Sequence, residues 1–191
     1  VFAASSKGQV TAFDFGDGKL VWRHQLDLTI SGGPGIGDNL VLVGSNRGEV
    51  VALSATDGRE LWRVKVSSEV LAAPRVSEGI IVVRTVDGKL VGLDSQKQGE
   101  RLWVYERTVP LLTLRGTSAP IIVQGRIIAG FDNGKLAALD LHTGKLLWEA
   151  TVAVSQGRTE LERMVDIDAD PVVVDNIIYV SSYQGHTVAV D

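Results

Sequence analysis

Three aspartates alternate with other residues near the C-terminal end of the chain, at Asp166, Asp168 and Asp170. Alternate carboxylates of this kind can supply the oxygen ligands that Ca²⁺ prefers. An EF-hand loop would also carry a glycine at its sixth position and a glutamate at its twelfth, and neither follows here. The pattern therefore favours an acidic binding loop, and we predict no metal site and no cofactor.

A second group of residues suited to recognition lies between residues 104 and 120. It consists of leucines beside an arginine and a glycine: Leu111, Leu112, Leu114, Arg115 and Gly116. Apolar anchors and arginine are enriched at the cores of protein interfaces, so this composition suits a protein partner. The alternative is that some of the leucines fold inward and cap a central channel.

The usual catalytic groups are sparse. The chain has no cysteine, which excludes disulfides, thiolate metal sites and a cysteine nucleophile. His24, His142 and His186 stand singly, with no spacing that suggests a triad or a metal site. The net charge of −4 argues against non-specific nucleic-acid binding, which needs a basic face. We predict no catalytic residues and no enzymatic activity.

These segments are positioned by an internal repeat. Four prolines are each followed by a glycine 14 residues later, the pairs being Pro34 and Gly48, Pro74 and Gly88, Pro120 and Gly134, and Pro171 and Gly185. A tryptophan follows each of the first three glycines after 14 or 15 residues, and Trp22 follows Gly8 at the same distance. Each unit holds four short apolar runs separated by turn signals, which is typical of a β-propeller blade.

The sequence thus predicts an all-β fold, a single partial propeller of four-stranded antiparallel blades over residues 1–191. The predicted repeats cover residues 1–33 (a partial blade), 34–73, 74–119, 120–170 and 171–191 (a partial blade), or about four and a half blades. A tryptophan can pack between neighbouring blades while its indole N–H seeks a carbonyl. The predicted docking residues are Trp22, Trp62, Trp103 and Trp148.

The chain opens with VFAASSKG, without a methionine or a signal-peptide pattern. Its first apolar run corresponds to the second run of a unit, and its last to the third. We therefore expect it to be a piece of a longer protein.

Two connections between repeats are longer than the others. The distance from a tryptophan to the next repeat's proline is 12 residues twice, then 17 and then 23. The first insertion is residues 104–120, and the second insertion is residues 151–171. The second is net negative and suits pairing either with the segment around Arg115 or with a basic partner. Because both connections run along one face of a propeller, we expect a local protrusion there that binds a partner.

The repeat motif resembles a known family of propellers. The segment DLHTGKLLW (140–148) is similar to the tryptophan-docking motif of quinoprotein-like propellers. The insertions sharpen this likeness, since LLTLRGTSAP and RTELERMVDIDADPVVVDNIIYV resemble the BamB family of outer-membrane assembly lipoproteins. The resemblance implies a part of an eight-bladed propeller that is not an enzyme.

The resemblance also implies a partner and a location. Members of that family bind a periplasmic POTRA domain of the barrel subunit BamA, and unfolded outer-membrane proteins are a second possible class of partner. The implied partner-binding residues are Leu112, Leu114, Arg115, Asp166 and Asp168. The family is held by an N-terminal lipid at the periplasmic face of the outer membrane of Gram-negative bacteria, and the lipidated cysteine is not in this chain.

Two other functions share this repeat. A quinone-dependent dehydrogenase would need a catalytic carboxylate, calcium ligands and stacking walls around the quinone. The inward-facing candidates here are instead apolar: Ile121, Ile122, Val172 and Val173. A propeller that captures unfolded polypeptide would use exposed strand edges. That function predicts apolar, uncharged edges rather than two insertions in one place.

Overall fold

The computed structural model describes the whole chain except residues 111, 114–117, 157, 160, 184 and 186. In the described residues, 18 strands form five antiparallel sheets, three of four strands and two of three. Within each sheet, strands that are consecutive in the chain lie side by side. This part of the chain contains no helix long and apolar enough to cross a membrane.

The sheets follow one another along the chain. The first contains β1 (Phe2–Ala4), β2 (Gln9–Phe13) and β3 (Leu20–Gln25). The second contains β4 (Ile30–Gly37), β5 (Leu40–Ser45), β6 (Glu49–Ser54) and β7 (Glu60–Lys65). The third contains β8 (Arg75–Ser77), β9 (Ile80–Arg84), β10 (Lys89–Asp94) and β11 (Glu100–Glu106). The fourth contains β12 (Ile121–Val123), β13 (Arg126–Gly130), β14 (Lys135–Asp140) and β15 (Leu146–Thr151), and the fifth contains β16 (Val172–Val174), β17 (Ile177–Ser181) and β18 (Thr187–Val190).

Burial explains why the middle strands are continuous apolar runs. Every residue of β5 and β9 is buried, because each of these strands is covered on both faces by neighbouring sheets. Alternate residues of β9 point in opposite directions. Ile81 and Val83 pack towards the second sheet, whereas Ile80 and Val82 pack towards the fourth. The outer strand β7 instead alternates between half-buried and exposed positions.

One apolar core fills each of the four interfaces between consecutive sheets. Representative members from the first interface to the last are Val41 with Leu53, Leu42 with Ile81, Leu90 with Leu139, and Leu136 with Ile178. The first strands of the second, third and fourth sheets, β4, β8 and β12, lie beside one another. Four-stranded sheets stacked face to face around their first strands are the blades of a propeller. The predicted all-β propeller class, partial in extent, is confirmed.

Glycine is required where the second and third strands of a sheet meet. Gly48 has a φ of +75°, a conformation that favours glycine. A Cβ at this position would lie 2.7 Å from the Ser68 carbonyl oxygen, which belongs to the connection that leads to the third sheet. This turn therefore packs closely against the connection that leads to the next sheet.

Candidate protein-binding site

Three tryptophans, one in each of the first three sheets, link their own sheet to the next one. The indole N–H of Trp22 donates to the Ala55 carbonyl oxygen at 2.9 Å, that of Trp62 to Ser95 at 3.2 Å, and that of Trp103 to Leu141 at 2.9 Å. Each acceptor directly follows the third strand of the next sheet. Trp148 is half-buried, and its indole makes no hydrogen bond to any residue that the structure describes.

The tryptophan rings rest on a glycine of the neighbouring sheet. A Cβ at Gly144 would lie 2.6 Å from the Trp103 ring, and one at Gly58 would lie 2.4 Å from the Trp22 ring. The glycine in the turn between the third and fourth strands of a sheet therefore has two functions. It adopts a positive φ in the turn, and it leaves room for the preceding sheet's tryptophan.

The two insertions meet beside the third and fourth sheets. The side chain of Asp170, in the second insertion, accepts a hydrogen bond from the backbone amide of Ala119, in the first. Its other oxygen lies 3.4 Å from Nη2 of Arg75, and the Arg75 Nε donates to the Pro120 carbonyl oxygen at 3.2 Å. The ends of both insertions are thus joined to each other and to β8.

A buried arginine lies beneath this junction. Arg84, the last residue of β9, is only 2% exposed. Its Nη1 donates to the Ser118 hydroxyl at 3.1 Å, to the Ser118 carbonyl oxygen at 3.3 Å, and to the Gly130 carbonyl oxygen. Its Nη2 lies 2.9 Å from Oδ1 of Asp132, whose side chain is 11% exposed. The guanidinium therefore holds the end of the first insertion against the fourth sheet.

The aspartates of the second insertion contribute to the electrostatics of Arg84. Burial lowers the pKa of Arg84, and the charges of Asp132, Asp168, Asp166 and Asp170 act in the opposite direction. An arginine remains protonated nonetheless. Burial raises the pKa of Asp132 and of Asp168, while the Arg84 charge opposes the rise in both carboxyls. Arg84 is therefore the central positive charge of an acidic cluster.

An aromatic pair extends the cluster outward. The rings of Tyr105 and Phe131 lie 6.0 Å apart between centroids. The guanidinium carbons of Arg84 and Arg107 lie 5.4 Å and 5.0 Å from the Phe131 centroid. Arg107 also donates to the Tyr105 hydroxyl at 2.9 Å and pairs with Glu149. The start of the first insertion is thereby fixed to the outer strand of the fourth sheet.

The middle of the second insertion forms a closed turn. The Glu162 carboxylate accepts hydrogen bonds from the amides of Arg158 at 2.7 Å and Thr159 at 3.1 Å, which lower the pKa of Glu162. The Ser155 hydroxyl donates to the Arg163 carbonyl oxygen at 2.8 Å and closes the base of the turn. Leu161 is exposed on this turn.

The predicted partner-binding residues fall into three groups. Leu112 is exposed, with 43% of its surface accessible. Leu114 and Arg115 lie outside the described residues, as do Leu111 and Gly116. Asp166 is buried and Asp168 is partly buried, and both lie within electrostatic range of Arg84. The charges of both aspartates therefore act on Arg84.

Sequence reasoning did not identify Arg84, although the repeat contains a signal for it. Arg84 stands four residues before Gly88, and the equivalent positions in the other repeats carry small residues: Ala4, Gly44, Gly130 and Ser181. In the structure, a Cβ on Gly44 would meet the Val70 side chain, and one on Gly130 would meet the Ile167 side chain. The sequence alone therefore shows that a large charged residue stands where the other four repeats carry a small one.

The described residues hold no group of three or more His, Asp or Glu side chains arranged to bind a metal ion. The charges of the alternating aspartates act on Arg84, and Asp170 is directed towards Ala119 and Arg75. The arrangement can fix two connections and present a surface.

A family model described as outer membrane protein assembly factor BamB matches residues 6–191. The chain belongs to the BamB family. BamB from Pseudomonas aeruginosa is 56% identical over 191 residues, covering 100% of this chain and 50% of that protein. BamB from Kangiella koreensis is 51% identical over the same length, covering 49% of that protein. The chain thus spans about half the length of the curated relatives it matches.

A solved structure supports the same assignment. The crystal structure of BamB from Moraxella catarrhalis superposes with a TM-score of 0.93 at 32% sequence identity. The match covers 100% of this chain and 57% of that one. The sheets described above are therefore blades of a BamB-type propeller, as the resemblance implied. The relatives are named as assembly factors and not as oxidoreductases.

Proposed function

We propose that the protein is a non-enzymatic scaffold of the machinery that assembles outer-membrane β-barrel proteins. In this proposal its two insertions bind a periplasmic POTRA domain of the barrel subunit BamA. The observation that carries the proposal is the junction of the insertions, where Asp170 accepts the Ala119 amide and Arg84 holds Ser118 from beneath. Two connections joined in this way form one surface that can bind one partner.

The first insertion would supply the apolar anchor of this surface. Leu112 is exposed, whereas Ser118 and Ala119 at the end of the same insertion are buried. A leucine beside an arginine is a composition that interface cores favour. We assign direct contact with the partner to Leu112, Leu114 and Arg115, following the family pattern residue by residue.

Asp166 and Asp168 would contribute from the second insertion. The carboxyl of Asp166 is almost fully buried, so we assign to it the role of holding the insertion in place. Asp168 is partly exposed and can contribute negative charge at the edge of the same surface. In the whole protein, an N-terminal lipid would hold this surface at the periplasmic face of the outer membrane.

The proposal is tested by measuring binding to the purified periplasmic POTRA domains of BamA from Pseudomonas aeruginosa, the source of a 56% identical relative. Arg115→Glu reverses a charge at the proposed centre of the interface and should weaken binding by about 2 kcal/mol or more. Leu112→Ser should weaken it as well, because it removes an apolar anchor.

Leu102→Ser is the matched control, because Leu102 lies on the outer strand β11 and is also 43% exposed. It should leave the dissociation constant unchanged. Circular dichroism and thermal melting would verify that all three variants are folded. Unchanged binding of both Arg115→Glu and Leu112→Ser would show that the first insertion is not the partner surface.

A further inference from the structure

Arg84 contacts more than one of the segments that form the proposed binding surface. It donates to Ser118 in the first insertion and pairs with Asp132 on the fourth sheet. The charges of Asp166 and Asp168, in the second insertion, also act on it. Its own side chain is buried, so it cannot touch a partner directly.

The other repeats show how this position is filled without an arginine. In the second sheet, the small Gly44 leaves room for Val70, which lies four residues before Pro74. In the fourth sheet, Gly130 leaves room for Ile167, which lies four residues before Pro171. Packing of an aliphatic side chain on a glycine is therefore enough to hold a connection against its sheet.

In the third repeat, the large and the small residue exchange positions. The sequence places Arg84 at the glycine position and Gly116, which lies outside the described residues, at the aliphatic position. Apolar packing could have filled the space, as it does in the neighbouring sheets. The arginine instead supplies hydrogen-bond donors in a fixed fork, which orient the groups they bind more strictly than apolar contact does.

We propose that Arg84 is a positioning residue, which fixes the two insertions relative to each other in the arrangement that binds the partner. This inference rests on the proposed function, because the arrangement matters only if the insertions are the binding surface. Removing the guanidinium would leave the Ser118 and Gly130 carbonyl groups and the Asp132 carboxylate without their buried donor. The end of the first insertion would then separate from the fourth sheet.

The test uses Arg84→Met, which keeps the length of the side chain and removes its charge and donors. Binding to the BamA POTRA domains should weaken by about tenfold, the scale of coupling carried by residues that do not contact the ligand. The Ala119 amide, which donates to Asp170 across the junction, should exchange its proton with solvent faster than in the parent protein. Arg84→Lys keeps the charge but not the fork, and should restore part of both properties.

Val83→Ala is the matched control. Val83 precedes Arg84 on β9, is fully buried, and packs towards the second sheet, away from the insertions. This variant should lose global stability while keeping the parent dissociation constant and the parent exchange rate at Ala119 in the folded state.

The outcomes separate this inference from the proposed function. Parent-like binding by a folded Arg84→Met protein, while Leu112→Ser and Arg115→Glu still lose binding, would overturn the positioning role and leave the proposed function intact. If Val83→Ala weakened binding as much as Arg84→Met does, the effect would be one of general stability, and the positioning role would again be wrong. A parent protein that binds no POTRA domain would overturn the proposed function first.

Discussion

Two opposing effects act on the pKa of Asp132 and on the pKa of Asp168. Each carboxyl is removed from water, which favours the neutral acid, and each lies near the positive charge of Arg84, which favours the carboxylate. The effect of burial is the larger in both, so both carboxyls have a raised pKa. Asp168 also has a buried Oδ1 that accepts no hydrogen bond from the described residues. Its ionised form is therefore the costly one.

A dependence of stability on pH follows for Asp168. A carboxyl with a raised folded-state pKa binds its proton more tightly in the folded state than in the unfolded state. Its contribution to the free energy of unfolding is therefore largest below the ordinary value of 3.8 and is lost as the pH rises through the folded-state pKa. Asp168→Asn removes this contribution, so the stability of the parent relative to the variant should fall as the pH is raised.

Urea unfolding of both proteins between about pH 3.5 and pH 7 would measure this difference. Asp27→Asn, which removes one negative charge at an exposed position of the short connection before β4, is the matched control. If the parent gained stability relative to Asp168→Asn with rising pH, the carboxylate would be the favoured form in the folded protein, and the account given above would be wrong.

At the residue scale, the sequence indicates the composition of the candidate site and not its geometry. Leu112 is predicted to bind the partner, and its side chain is exposed. Asp166 and Asp168 are predicted to bind the partner as well, and alternating carboxylates do not reveal that Asp166 is buried or that both charges act on Arg84. A buried ion pair is formed by residues distant in the chain, here 48 positions apart for Arg84 and Asp132, so local patterns do not reveal it.

At the scale of the strand and the turn, the docking of the tryptophans differs from one interface to another. Trp103 is buried, and its indole N–H reaches the buried Leu141 carbonyl oxygen in the next sheet at 2.9 Å. Trp62 has the same place in its own sheet, but it is half-buried, and its hydrogen bond to the Ser95 carbonyl oxygen is longer, at 3.2 Å. The same residue type should therefore stabilise the protein to different extents at these two positions.

Trp103→Phe should lower the free energy of unfolding by about 1–3 kcal/mol, because it leaves a buried carbonyl oxygen without its donor. Trp62→Phe should cost clearly less, since the Ser95 carbonyl it releases belongs to a partly exposed residue and can be hydrated. Urea denaturation followed by circular dichroism would give both values. Equal losses in the two variants would mean that the burial of the hydrogen bond across the interface does not determine its contribution to stability.

The insertions show what spacing can and cannot predict at this scale. A constant distance from proline to glycine, with added length only after Trp103 and Trp148, correctly located the two irregular connections. It did not predict that Asp170 would join them through the Ala119 amide. That contact depends on how consecutive sheets are angled relative to one another, and the residue spacing within one repeat carries no information about that angle.

At the scale of the whole molecule, the chain is a row of sheets that pack face to face in the order of the sequence. The second, third and fourth sheets are covered on both faces, and their middle strands are almost entirely buried. Of the seven residues of the outer strand β11, by contrast, one is buried. In such arrays, stability is approximately the sum of the intrinsic terms and the interfaces between neighbours, so it need not be uniform along the chain.

Hydrogen exchange should reveal how protection varies within a sheet. Amides of β9 and β10, which are paired with a strand on each side and lie between two packed interfaces, should be the most protected, and those of the outer strand β11 should exchange first. The difference arises because β11 is hydrogen-bonded to a strand of its sheet on one side, at β10, and is largely exposed. Mass spectrometry of peptides from each strand would measure it. Uniform protection from β9 to β11 would show instead that the sheet opens as one cooperative unit, in which the outer strand is held as firmly as the middle strands.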